Sequence, residues 1–192
     1  MEPASLAAKP GPKTAMRDHG PVRYDLIELL FFAYRDFVGQ PDEILAGFGF
    51  GRAHHRVLHF VNRNPGIRVA DLLEILRITK QSLGRVLKEL VDQGFIVQRE
   101  GEQDRRQRLL FTTASGQALA ARLAQLQSAH IGAALDQMAA ASGPTRAGSG
   151  EAVSRADADE IVSRFLFAMI SAKDREGVAR IIGLDEGRDL RA

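Results

Sequence analysis

The chain has 192 residues, 45% of them hydrophobic, with a formal net charge of +2. That size and composition point to one folded unit with room for flexible ends, and so small a net charge means that any basic surface must arise from local segregation of charge. The sequence contains no cysteine, which excludes disulfides, thiolate metal sites and thiol redox sensing.

Residues 1–20, MEPASLAAKPGPKTAMRDHG, are rich in Ala, Pro, Gly and Lys and read as a disordered tail, with a basic arm on nucleic-acid phosphates as the less favoured alternative. The tail lacks the apolar stretch of a secretory signal, and no later run approaches the roughly 20 apolar residues of a membrane span, so a cytoplasmic protein without membrane contacts is expected. From Arg23 the pattern changes. Leu26, Leu29, Leu30, Ala33 and Phe37 recur at helical spacing, which predicts a first helix over 23–38 ended by Gly39, Gln40 and Pro41.

GFGFG at 47–51 is a loop whose glycines do not have the spacing of a phosphate fingerprint. A second helix follows on Val57, Leu58 and Val61 and closes at Asn64, Pro65 and Gly66, after which Ile67 offers a short strand contact. Val69, Leu72, Leu73 and Leu76 form the stripe of a short third helix with Asp71 and Glu74 outside. The fourth helix has Thr79 where an N-cap belongs, Leu83, Val86, Leu87 and Leu90 as its inner face, and Gly94 where a helix-ending glycine belongs.

Phe95–Arg99 and Gln107–Thr112 are β-prone runs flanking GEQDRR, a hairpin with a charged tip. A long Ala/Leu-rich helix is predicted over 114–140, a flexible loop over 142–153, and a last major helix over 155–175 marked by Ile161, Phe165, Ala168, Met169 and Ala172. The terminal GVARIIGL is apolar enough to pack but too short to place. The expected fold is therefore mainly α with a small β-hairpin. Residues 21–192 make one unit, in which 52–113 are a winged helix-turn-helix between long helices at both ends.

That order of elements is built to touch nucleic acid. In such a domain the second helix enters the major groove and the wing lies along the backbone or in the minor groove. Thr79, Lys80, Gln81, Ser82, Arg85 and Lys88 occupy the helix start and the face opposite the aliphatic one. Gln pairs bidentately with adenine, Arg with guanine and Ser with either, while Lys88 at the far end suits a phosphate. On its own such a face is ordinary solvated surface. The wing changes the balance, because Arg105, Arg106 and Arg108 crowd where packing does not need them, with Asp104 available to orient one guanidinium.

Pro65–Gly116 resembles the MarR family of transcriptional regulators. The family's Asp-x-Arg wing pattern is met by Asp104 and Arg106, and its Leu-Thr-x-x-Gly helix start by Thr112, Thr113 and Gly116, with Thr112 in place of the leucine. FFAYRDF at 31–37 and GFGRAHHRVLHFVNRNPG at 49–66 are similar to the PetP-type subgroup. The resemblance implies a homodimer joined through its first and last helices, binding double-stranded DNA, often with a pocket for a small-molecule effector. The apolar stripes Leu26, Leu29, Leu30, Ala33, Phe37 and Ile161, Phe165, Ala168, Met169 independently call for a partner surface.

His55 and His59 have the i, i+4 spacing of a metal-binding pair, with His130 as the nearest third candidate. Without a neighbouring carboxylate or an HExxH pattern, histidines bonded within the fold are the better reading, and no cofactor is expected. No nucleophile stands beside a base, no Gly-x-Ser-x-Gly elbow and no P-loop occurs, so an enzyme is not expected. The competing reading is a winged helix that binds protein, such as a response regulator, rather than DNA.

Overall fold

The computed structural model describes residues 20–101, 104, 106–141 and 153–183. The tail expected at 1–20 (apart from Gly20), the loop expected at 142–153 (apart from Val153) and Arg105 of the wing lie outside the described residues. The chain divides into two units, residues 1–36 and 37–192. In the first, the start of helix α1 (Tyr24–Ala46) is held by local pairs: Arg23 with Asp25 at 2.6 Å, and Arg35 with Asp36 at 2.8 Å while its guanidinium lies 5.0 Å from the centre of the Phe32 ring.

Helix α1 does not stop at Gly39–Pro41 but runs on to Ala46. Proline already has a helical φ, and what it removes is one N–H bond and some steric room. Here Val38, Pro41 and Leu45 fall on one helical face and are all buried, and that burial offsets the lost bond.

The second unit is built around α2 (Arg52–Arg63), α3 (Val69–Leu76) and α4 (Lys80–Asp92). Val57, Leu58 and Val61 of α2 are fully buried against Leu72 of α3 and Leu83 and Leu90 of α4. Arg56 donates to the carbonyl of Leu76 at 3.1 Å, satisfying one of the acceptors that the end of α3 leaves open. The turn between α3 and α4 puts Arg77 in the left-handed region at φ 52°, and its guanidinium pairs with Asp174.

Thr79 caps α4 by accepting the Ser82 N–H at 3.1 Å. At the other end Gly94, at φ 75°, lets its own N–H reach Val91 and that of Phe95 reach Leu90, the paired bonds that close a helix on a left-handed glycine. Thr79→Ala removes the cap acceptor and is expected to cost about 1 kcal/mol in urea denaturation. A loss indistinguishable from zero would mean that the exposed Thr79 hydroxyl makes no cap in solution.

The wing is β2 (Ile96–Glu100) paired antiparallel with β3 (Arg108–Thr112), with Gln98 opposite Leu110 and Glu100 opposite Arg108. It is larger than a hairpin, because β1 (Ile67–Arg68) pairs with the other edge of β3 and gives the order β1-β3-β2. Period-two alternation puts Ile96 and Leu110 into the core and Val97 and Arg99 outside.

After the wing come α5 (Ala114–Ala141), α6 (Arg155–Met169), which packs on α5, and α7 (Arg175–Ile182). Ser154 caps α6, exchanging bonds with Asp157. The last helix was expected to reach residue 175 but ends at Met169. Arg175 donates to the carbonyls of Ile170 and Ala168, at 3.0 and 2.8 Å, and this side-chain cover takes up acceptors that a continuing helix would have used. Ala172 therefore lies outside α6, and most of GVARIIGL turns out to be helical, within α7.

Candidate nucleic-acid interface

The two faces of α4 separate as the heptad spacing requires. Leu83, Val86, Leu87 and Leu90 are buried, while Thr79, Lys80, Gln81, Ser82, Arg85 and Lys88 are exposed. Two of the cations are paired. Lys88 pairs with Asp92 one turn on, which holds its ammonium above the ordinary lysine range through that hydrogen bond, and Arg85 Nε lies 4.0 Å from Glu89. Such exposed pairs are weak and exchange readily for a phosphate or a base.

In the wing, Asp104 does not grip the Arg106 guanidinium. Its Oδ1 accepts the backbone N–H of Arg106 at 2.9 Å, so the carboxylate shapes the turn, as a short acidic side chain does two residues ahead of its donor. Arg108 is tied across the strands to Glu100 at 2.9 Å. Thr112, which stands where the family pattern has leucine, donates to Asn62 of α2 at 3.2 Å. Its hydroxyl thus joins wing to helix.

Two functional candidates escaped the sequence reading. Arg99 stacks on Phe111 at 4.8 Å on the outer face of the sheet, and only its place in the strand alternation signalled it. Glu89, 2.6 Å from His54, adds a carboxylate to the histidine helix from 35 residues away, and no spacing rule could have found that pairing.

The metal candidates do not converge. Among the described residues no group of three histidine, cysteine, aspartate or glutamate side chains is placed to hold a metal ion, and His130 is exposed on α5. Burial, aided by the neighbouring His59, pushes the His55 imidazole below the usual histidine value, with Asp42 opposing. Burial and Arg63 do the same to His59.

A depressed histidine pKa favours the neutral ring in the fold. Its stabilising contribution is therefore complete above the unfolded value, about 6.5, and is lost as pH falls below it toward the folded values. The protein is expected to resist urea better at pH 7.5 than at pH 5.5, with the difference shrinking in a His55→Gln, His59→Gln double variant. An unchanged slope in that variant would assign the acid sensitivity to other groups.

Residues 48–107 match a family model described as MarR family. A curated relative, the HTH-type transcriptional regulator PetP of Rhodobacter capsulatus, is 47% identical over 108 residues, which span 56% of this chain and 65% of that protein. Among solved structures, Streptococcus pneumoniae FabT in complex with DNA superposes with a TM-score of 0.56 at 15% identity, covering 86% of this chain and 99% of that one. A MarR-type regulator from Listeria monocytogenes complexed with a 26mer DNA gives 0.55 at 18% identity, covering 88% and 97%. At such identities the structural likeness is one of fold.

Proposed function

We infer, for a chain that carries a MarR-family winged helix over residues 48–107, that it is a sequence-specific regulator of transcription that binds double-stranded DNA as a homodimer. The observation that carries this reading is the exposed row Gln81, Ser82, Arg85 and Lys88 standing on a fully aliphatic buried face, beside a wing that holds Arg106 in the open. Gln81 and Arg85 would read base edges in the major groove, Lys80 and Lys88 would meet phosphates, and Arg106, together with Arg99 and Arg108 of the strands, would follow the minor groove, a role that the sequence extends to Arg105. The fold is shared with FabT and the Listeria regulator, both solved with DNA, which supports the same docking here.

The stripes Leu26, Leu29, Leu30, Ala33 on α1 and Ile161, Phe165, Ala168, Met169 on α6 are exposed in the protomer, whereas Phe37 is already half-buried. A second copy would cover them. Among the described residues no helix is long and apolar enough to cross a membrane, and we place the protein with its DNA in the cytoplasm, acting by binding rather than by catalysis.

The test is binding to operator candidates selected from random duplex, titrated with salt. Affinity should fall steeply, because each neutralised phosphate releases counterion. Salt-insensitive binding, or none, would move a protein partner to the front. Arg106→Ala is expected to lose about 1 to 3 kcal/mol of DNA affinity with little change in melting temperature, since the side chain is exposed at the wing tip. Unfolding of that variant, or unaltered binding, would contradict the role assigned to it.

A further inference from the structure

An acidic side chain on a helix face meant for a polyanion needs a reason. Glu89 sits between two elements: its Oε2 is 2.6 Å from Nε2 of His54 on α2, and its Oε1 is 4.0 Å from Nε of Arg85, one turn back on α4. The imidazole is fixed in its turn. Its Nδ1 accepts the Gly51 N–H at 3.1 Å, and its ring stacks on Phe50 with centroids 4.6 Å apart and planes 13° from parallel. Because Nδ1 is an acceptor there, the ring proton sits on Nε2 and His54 donates to Glu89.

The exposures decide which group controls which. The His54 side chain is 11% exposed, Glu89 41% and Arg85 80%. The buried ring is the anchor, the carboxylate the link and the guanidinium the part that moves.

We propose that Glu89, anchored by His54, is the positioning residue that orients Arg85 and thereby sets base preference at the pair Arg85 reads, an inference that rests on the DNA-binding function proposed above. A carboxylate facing Nε holds the inner edge of the guanidinium and leaves Nη1 and Nη2 directed off the helix, the fork that matches two acceptors on one guanine edge. At 4.0 Å the attraction is a bias rather than a bond, and an exposed pair of this kind adds little to folding. Its effect therefore falls on specificity, at the expense of some attraction for phosphates.

The experiment uses the full chain and a duplex selected from a random library, with single-base variants of it and an unrelated duplex. R85A identifies the base pair concerned by losing preference there. E89Q is expected to lower discrimination at that same pair by roughly tenfold, while the unrelated duplex binds as well as before or better, a negative charge having gone. H54Q, whose amide nitrogen replaces Nε2, should keep most of the discrimination. H54N keeps an acceptor for Gly51 but does not reach Glu89, and should behave like E89Q.

A purely structural role for the pair would instead lower melting temperature in both histidine variants and weaken specific and unrelated binding together. Wild-type discrimination in E89Q, or identical behaviour of H54N and H54Q, overturns the proposal while leaving DNA binding intact. If R85A keeps every preference, Arg85 reads no base and this inference falls while DNA binding stands; if the wild type selects no site, the DNA-binding reading falls and this inference with it.

Discussion

Gly116→Ala is expected to destabilise the protein by about 3 kcal/mol or more, at the upper end of what a single overpacked methyl costs. A Cβ at this position would lie 2.0 Å from the carbonyl oxygen of Phe95 and 3.0 Å from its carbon. Neither atom can give way cheaply. The same oxygen accepts the Thr113 N–H at 3.1 Å, the Thr113 hydroxyl donates to the Gly94 carbonyl at 2.6 Å, and the Gly116 N–H returns to that hydroxyl at 3.1 Å. The start of α5 is thus bolted to the Gly94 and Phe95 carbonyls, just ahead of β2, through the N–H and hydroxyl of Thr113. Alanine would otherwise favour a helical position by up to about 1 kcal/mol, so propensity and packing predict opposite signs. Equilibrium denaturation in urea separates them: a Gly116→Ala variant as stable as the parent, or more so, would mean that the close approach to Phe95 is absent in solution.

The same motif shows what was legible beforehand and what was not. Thr113 and Gly116 could be recognised as part of a family pattern, but their reason lies in a contact with Phe95, some twenty residues earlier, which no local rule supplies. The helices α2, α3 and α4 were readable because their apolar residues recur at a single period and their ends carry Thr79 and Gly94, whose conformational preferences are local. Where a tertiary contact outweighed a local signal, the reading failed. Pro41 marked an end that burial of Val38, Pro41 and Leu45 overrode, and α6 ended early because Arg175 covers its last carbonyls from outside the helix. The exposed row on α4 was visible as a face. The partners that hold its charges, Asp92 and Glu89, lay at an i, i+4 spacing that could have been read, whereas the His54 anchor could not.

Phe165→Asp is expected to convert a dimer into an unstable monomer. In the protomer Ile161, Phe165, Leu166 and Met169 of α6 are each more than half exposed, and Leu26, Leu29, Leu30, Phe31 and Phe32 of α1 are exposed as well. Clustered apolar side chains of this size are seldom left to water unless another surface covers them. A carboxylate placed inside the proposed interface would have no compensating cation, and an unpaired buried charge costs several kcal/mol, enough to empty a dimer at micromolar concentration. Sedimentation equilibrium reads the outcome directly. The consequence for DNA follows from symmetry, because two equivalent copies of α4 would meet half-sites about 34 to 36 Å apart on one face of the duplex, and an isolated protomer can hold only one. Footprints should accordingly show a dyad with the unmodified chain and lose it with the variant. A well-folded monomer of the unmodified protein, or a protected site without two-fold symmetry, would show that these stripes serve some other surface.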